Sequence, residues 1–310
     1  MAFRYDEIGQ RLKAYRLGSG LSADDIAKKI GISRTALYRF ERGELAKIDT
    51  LERLAELLGI SIPTLLGVGI EYIRSAVSYF ERMRQIEESA EHIVMLSGPI
   101  SFLLASNDFQ TTLEEVLLEN VTNVVANAAR AKSDVLKIME ILRERKELYQ
   151  QRRPTIVNLM SAFEIERFLD HGFVGRKGLP GAVLAKRKTL ACAEIKHFAN
   201  LTEQQPIGIQ IGIVPDTLPH AGFQLLRQPD RKVLVMSPFR LGGEPNVRVG
   251  VAMITSAPDA ISLHEDAVNE MWGRALKGQA AADCLRALLA NAESSQAASV
   301  ALPTIDRRGE

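Results

Sequence analysis

Arg34, Thr35, Tyr38 and Arg39 fall within one short stretch, and their side chains are of the kinds that reach base edges. A guanidinium carries two parallel donors that match the acceptor pair of guanine in the DNA major groove. A threonine can meet a thymine methyl or a base edge. Tyr38 offers a hydroxyl for either a base or a phosphate. Around them Ser22, Lys28, Arg42 and Lys47 supply one hydroxyl and three long cations, which suit phosphate contacts that fix register without reading sequence.

Such groups act together only if a short helix carries them. Residues 21–43 read LSADDIAKKIGISRTALYRFERG. Ser22, with Asp25 three residues on, makes a loose capping box. Ile26, Ala27 and Ile30 follow at helical spacing, and Gly31 ends that helix because it enters the left-handed region without penalty. Ser33 caps a second helix that turns Leu37 and Phe40 inward and leaves Arg34, Thr35, Tyr38 and Arg39 outside. Gly43 stops it. One helix propped on another, with hydrogen-bonding side chains near its N-terminus, suits insertion into a major groove.

Residues 8–66 resemble the Cro-like phage-repressor, or XRE, family of helix-turn-helix domains. The matching features are Gly20-Leu21-Ser22, the run Ile26 to Arg34, Arg39-Phe40-Glu41-Arg42-Gly43, and Leu51, Leu54, Ala55, Leu58 and Gly59. The resemblance implies an all-α, five-helix repressor-like DNA-binding domain over residues 1–67, with a double-stranded DNA operator as partner. It also implies an ion pair between Arg16 and Glu41, tying the first helix to the end of the recognition helix. One departure matters: many members place a DNA-contacting Gln just after the first cap, where this chain has Ala23. Operator preference then rests more heavily on Arg34, Thr35, Tyr38 and Arg39.

The chain has 310 residues, enough for two or three domains, and a formal net charge of only +1. Residues 1–66 hold 11 Lys and Arg against 9 Asp and Glu, a difference of +2. DNA affinity must therefore come from where charges lie, with Lys28, Lys29, Arg34, Arg39, Arg42 and Lys47 expected on one face and Asp24, Asp25, Glu52 and Glu56 turned elsewhere. Cys192 and Cys284 form no CxxC pair, which argues against a disulfide framework or zinc site and suits a reducing compartment. The start MAFRYDEIGQ lacks an apolar signal core, and no run approaches the ~20 apolar residues that span a bilayer. The expectation is a cytoplasmic, nucleoid-associated protein without metal or cofactor.

Along the chain, residues 5–17 read as a helix with Ile8, Leu12 and Leu17 inward and Arg11, Lys13 and Arg16 outside or at the rim. Asp49 is the expected cap of a helix over 50–58, and Ser61-Ile62-Pro63 opens a short fifth one. Gly67-Val68-Gly69 makes a hinge, and residues 68–90 a linker whose helix, from Glu71 to Ser89, pairs with its copy in a second subunit. His92–Ser97 reads as a strand, whereas Ile100–Ala105 fits helix or strand equally. Between 110 and 150 the residues Leu117, Val121, Val124, Ala128, Ala131, Val135, Ile138 and Leu142 alternate spacings of four and three, predicting a helix of ~40 Å. Its seam fits a dimerisation helix and a core helix equally well. Beyond Pro154, strands are expected at Thr155–Met160, Ile207–Val214, Gly222–Leu226, Lys232–Ser237 and Val247–Thr255, with helices at 162–170, 182–201, 262–276 and 280–291. Residues 91–292 thus form an α/β or α+β domain with long helices, and 293–310 a disordered tail.

The layout of residues 70–290 resembles the C-terminal sensor regions of bacterial XRE-type regulators, through phrases such as Gly222-Phe-Gln-Leu-Leu and Ser237-Pro-Phe-Arg-Leu. The His-x-Lys hallmark of phospholipase-D-like modules is missing, since His92, His171, His197, His220 and His264 are followed two residues later by Val, Phe, Ala, Gly and Asp. Glu164, Glu166 and Glu194 beside His171 or His197 come without a metalloprotease motif, nucleophile elbow or phosphate loop, so catalysis is not expected. The Gly175–Gly181 loop reads as an anion cradle or a surface turn. The expected function is a regulator that binds a palindromic operator as a homodimer, modulated by a small-molecule effector whose binding residues the sequence does not reveal. The rivals are an enzyme with an autoregulatory DNA-binding domain, and an antitoxin-like repressor that binds a protein.

Overall fold

A computed structural model describes residues 4–44, 46–96, 98–121, 128–216 and 222–301, the last seven by backbone alone. Five helices open the chain: α1 (Tyr5–Ser19), α2 (Ala23–Ile30), α3 (Arg34–Glu41), α4 (Ile48–Leu58) and α5 (Ile62–Leu66). Ile8, Leu12, Ile26, Ile30, Leu37, Leu54 and Leu65 close a small core of their own. Burying side chains of this size contributes roughly 1.5–3 kcal/mol each, enough for a short bundle to hold its shape. Asp49 lies inside the first turn of α4, and Lys47 occupies the cap position with no side-chain cap bond, which corrects the expected cap.

Beyond α5 come β1 (Ile70–Ile73), α6 (Ala76–Glu87), β2 (His92–Leu96), α7 (Asn107–Glu119), α8 (Ala128–Arg152), β3 (Thr155–Ser161), α9 (Ala162–His171) and α10 (Gly181–Gln204). Then follow β4 (Ile209–Val214), β5 (Phe223–Arg227), β6 (Lys232–Met236), β7 (Ala252–Thr255), α11 (Pro258–Arg274), β8 (Leu276–Lys277) and α12 (Gly278–Ala301). Among the described residues the eight strands share one sheet in the order β1-β7-β6-β5-β2-β3-β4-β8. β2, β3 and β4 run parallel, and the intervening helices supply the long crossovers that parallel pairing requires. The remaining pairs are antiparallel.

Alternation along the strands sends side chains to two layers. Ile156 and Met160 of β3 face the large core shared with α6, α8 and α10, whereas Leu159 faces α11 through Ile261 and Val268. On that second face Trp272 packs so closely over Gly212 that a Cβ there would lie 2.8 Å from the indole ring. The apolar run Ile100–Ala105 is neither helix nor strand but a buried turn segment. The Lys146 ammonium binds it by donating to the Leu103 and Ala105 carbonyls at 2.8 and 2.7 Å.

Three expectations change. Residues 68–90 are not a free linker, because β1 enters the sheet beside β7 and every residue of α6 except Arg84 is buried within this chain. The 110–150 seam falls on two helices, α7 and α8; Val135, Ile138 and Leu142 face the chain's own core, and Val124 lies outside the described residues. α12 continues helically through 293–301, part of the stretch expected to be disordered, while 302–310 lie outside the described residues.

The five-helix head is fixed to the sheet domain by a buried ionic seam. Glu71 of β1 accepts from Arg82 of α6 at 2.9 and 3.1 Å and from Arg11 of α1 at 3.3 Å. Arg11 also donates to Glu7 at 3.1 Å, and Glu7 accepts from Arg231 at 2.8 Å. Gln85 bridges from α6 to the Gln10 carbonyl at 3.0 Å. Arg11, expected at the surface, is 7% exposed, because its partners Glu7 and Glu71 satisfy it in place of water. Gly67, the expected hinge, holds φ at 72° as the cap of α5, and a Cβ there would sit 2.3 Å from the Arg11 guanidinium. At the far end of α1, Arg130 of α8 donates to the Ser19 carbonyl at 3.0 Å.

Candidate nucleic-acid interface

The local structure around α2 and α3 follows from four small residues. Ser22 accepts from the Asp25 amide at 3.0 Å while the Asp25 carboxylate accepts from the Ser22 amide at 3.4 Å, a reciprocal capping box. That exposed carboxyl sits below its usual range, held there first by its hydrogen bonds to Ser22. Gly31 takes φ 70° and turns the chain, and Ser33 caps α3 by accepting from Ala36 at 3.0 Å. Leu37 is wholly buried and Phe40 partly so, which orients α3 as expected. Arg34, Thr35 and Arg39 are exposed on the outer face, with Tyr38 half-buried between them. Ser22, Lys28, Lys29, Arg42 and Lys47 are exposed as well.

The back of α3 is braced by α1. A Cβ on Gly9 would fall 2.5 Å from the Glu41 carbonyl oxygen, so only glycine permits this approach. There Arg16 forks onto Glu41, its Nε donating to one oxygen and its Nη2 to the other at 3.0 Å. Both partners are mostly shielded, which makes this a positional clamp rather than a loose surface pair.

Each arginine on the outer face already holds a carboxylate. Arg34 of α3 donates to Asp24 of α2 at 3.2 Å and to the Tyr38 hydroxyl at 3.3 Å. Its guanidinium carbon lies 5.4 Å from the Tyr38 ring centre, and that of Arg16 lies 5.7 Å away. Tyr38 is therefore flanked by two cations and orients Arg34. Arg39 donates to Glu44 at 2.6 Å. Hydrogen bonding to Tyr38 and the charge of Asp24 raise the pKa of Arg34, and Glu44 does the same for Arg39. Glu44 in turn is lowered by its bond to Arg39. Asp24, expected to turn away from the cationic face, instead pairs with Arg34 across it, and sequence reasoning missed Glu44; the signal was a carboxylate at a helix start facing the next helix, and another just past a helix end.

Other residues singled out in the sequence have structural partners. Glu194 accepts from the Ser106 amide at 2.9 Å and His197 contacts the Leu104 carbonyl at 2.9 Å, so both anchor the buried turn after β2. In the glycine-rich loop the Gly175 amide donates to Glu119 at 3.1 Å, placing a carboxylate where an anion cradle would need a gap. Cys192 and Cys284 form no disulfide and are half-buried, and burial pushes the Cys284 thiol up. Among the described residues no helix is long and apolar enough to cross a membrane.

The likenesses in sequence to known proteins fall on the head. A family model described as helix-turn-helix matches residues 12–65. The HTH-type transcriptional regulator SinR of Bacillus licheniformis is 38% identical over 62 residues, 19% of this chain and 56% of that protein. SinR of Bacillus subtilis is 38% identical over 61 residues, 19% of this chain and 55% of its own. The chain thus spans just over half the length of these relatives. Among solved structures, TrmBL2, an archaeal chromatin protein, aligns with 13% identity over 85% of this chain and 91% of that one. Its TM-score is 0.29, too low to relate the folds. Capped helices, the glycine turn and the matched segment coincide: residues 12–65 form a helix-turn-helix domain of the XRE type.

Proposed function

We propose that this protein is a sequence-specific, DNA-binding transcriptional regulator that reads a palindromic operator as a homodimer. The observation that carries the reading is α3, which presents Arg34, Thr35, Tyr38 and Arg39 from a helix-turn-helix unit matched to known regulators. In this reading Arg34 and Arg39 exchange Asp24 and Glu44 for base edges. Thr35 and Tyr38 complete the base-reading set, and Ser22, Lys28, Arg42 and Lys47 grip phosphates. Two copies are needed because one eight-residue helix covers few base pairs, and two heads a helical turn apart multiply discrimination. The sheet domain senses a small molecule rather than catalysing a reaction, and the protein works in the cytoplasm on the nucleoid.

The test is selection from a randomised duplex library, followed by gel shifts of the enriched site at fixed salt. Arg34→Ala and Arg39→Ala should each lower discrimination at one half-site position by about 1–3 kcal/mol. Lys47→Ala should weaken all duplexes alike and reduce the salt slope by about one. Failure to enrich any sequence would overturn the reading. A monomer on the enriched site by analytical ultracentrifugation would overturn its dimeric part.

A further inference from the structure

A cavity of about 490 Å³ opens in the sheet domain where the ends of β2, β5, β6 and β7 meet the segments around Ile100 and Phe239. Its size lies within the roughly 300–1,000 Å³ of small-molecule sites. Tyr79 and Phe80 of α6 form one wall, and Met95, Gln224 and Val235 occupy adjacent register positions on β2, β5 and β6.

Two polar groups in this lining are unfinished. Arg145 of α8 is 5% exposed and clamps Glu87 through Nε at 2.8 Å and Nη2 at 2.6 Å. Its remaining nitrogen, Nη1, has no hydrogen-bond partner among the described residues. Gln224 Oε1 is buried and accepts from no donor among the described residues. An unmet acceptor and an unmet donor in one cavity call for a ligand that carries the converse of each. Charge decides its class. Glu87 already balances Arg145, and Glu164, whose pKa burial raises, shares the lining with Arg240, whose charge works the other way. Each cation of the lining thus has a carboxyl beside it, which leaves none uncompensated for a ligand carboxylate to pair with, whereas a neutral head needs none.

We propose that this cavity binds a neutral carboxamide with an apolar body, its N–H donating to Gln224 and its carbonyl accepting from Arg145. The role of this ligand as effector rests on the regulator reading; its binding does not. Tyr79 and Phe80 line the cavity on the same helix whose Arg82 and Gln85 hold β1 and α1, so a ligand that shifts α6 reaches the head.

The experiment is calorimetric titration of the full chain, without DNA, with octanamide and 3-phenylpropanamide and with octanoate and 3-phenylpropanoate. At least one amide should bind saturably and about tenfold tighter than its carboxylate. Gln224→Leu should erase that preference. Val251→Trp, at a lining residue 52% exposed and therefore safe for folding, should weaken every probe. No saturable binding up to millimolar amide, or a carboxylate that binds as tightly as its amide, would overturn the proposal. Because no duplex is present, failure of operator selection leaves this outcome unaffected. Adding the amide to the gel shift then tests the effector role separately.

Discussion

The outer face of α3 and the seam beneath α1 are both built from arginine and carboxylate, yet they stand in opposite solvents. Arg34 with Asp24, and Arg39 with Glu44, are more than half or nearly half exposed on each side. Arg82 and Glu71 are 3% and 5% exposed. Water screens the first pairs, so each contributes little and yields readily to a competing anion or base. The second pairs have lost their water, and removing one partner strands the other. The same chemistry thus gives an exchangeable surface in one place and a fixed joint in the other.

The sharpest way to break this contrast is Glu71→Ala. It leaves Arg11 and Arg82 buried without their shared partner and should lower stability by about 3–5 kcal/mol in chemical denaturation. A loss under about 1 kcal/mol would show that water reaches the seam and that the two regions do not differ.

Acid should open the joint next. Burial alone would raise Glu7, but Arg231, Arg11 and Arg4 bring its pKa below the usual value; Arg84 and Lys13 likewise reverse the effect of burial on Glu81. Folded-state values below unfolded ones mean that this stabilisation is complete above about pH 4.5 and is lost as pH falls through the depressed values. Denaturation midpoints measured from pH 7 to 3 should fall on the acid side, and Glu7→Gln should flatten that limb. An unchanged limb in Glu7→Gln would remove the seam as its source.

A smaller effect belongs to the head alone. Ser33→Ala removes the cap of α3 and should cost about 1 kcal/mol, read as a lower thermal midpoint. Smallest is Glu44→Gln, which frees Arg39 without touching the core. The thermal midpoint should stay where it is, while duplex affinity rises by up to about fivefold. A fall in affinity would mean that Glu44 positions Arg39 for DNA instead of competing with it.

How much of this was legible depended on range. Ser22, Gly31, Ser33 and Leu37 act on neighbours within a turn or two, so their caps, turn and inward face could be read directly. Arg11 could not, because the Glu71 that buries it lies 60 residues away and nothing local distinguishes it from a surface arginine. β1 was hidden differently. Ile73, Val77 and Phe80 continue a helical spacing, so the short strand before α6 merged with it, although the alternating burial of Ile70–Ile73 is a strand signature. The polar lining of the cavity was illegible for the same reason as the seam: Arg145, Gln224 and Glu164 meet only through the sheet.

The passage from α5 into β1 carries one more consequence. Only Gly67 to Gly69 separate the last helix of the head from a strand already laced to β7. A reading head on a long tether swivels to suit whatever half-site phasing it meets; one mounted this stiffly does not. If two such heads share an operator, the spacer between half-sites must twist or bend to fit them. Base pairs that no side chain touches would then enter specificity through their flexibility.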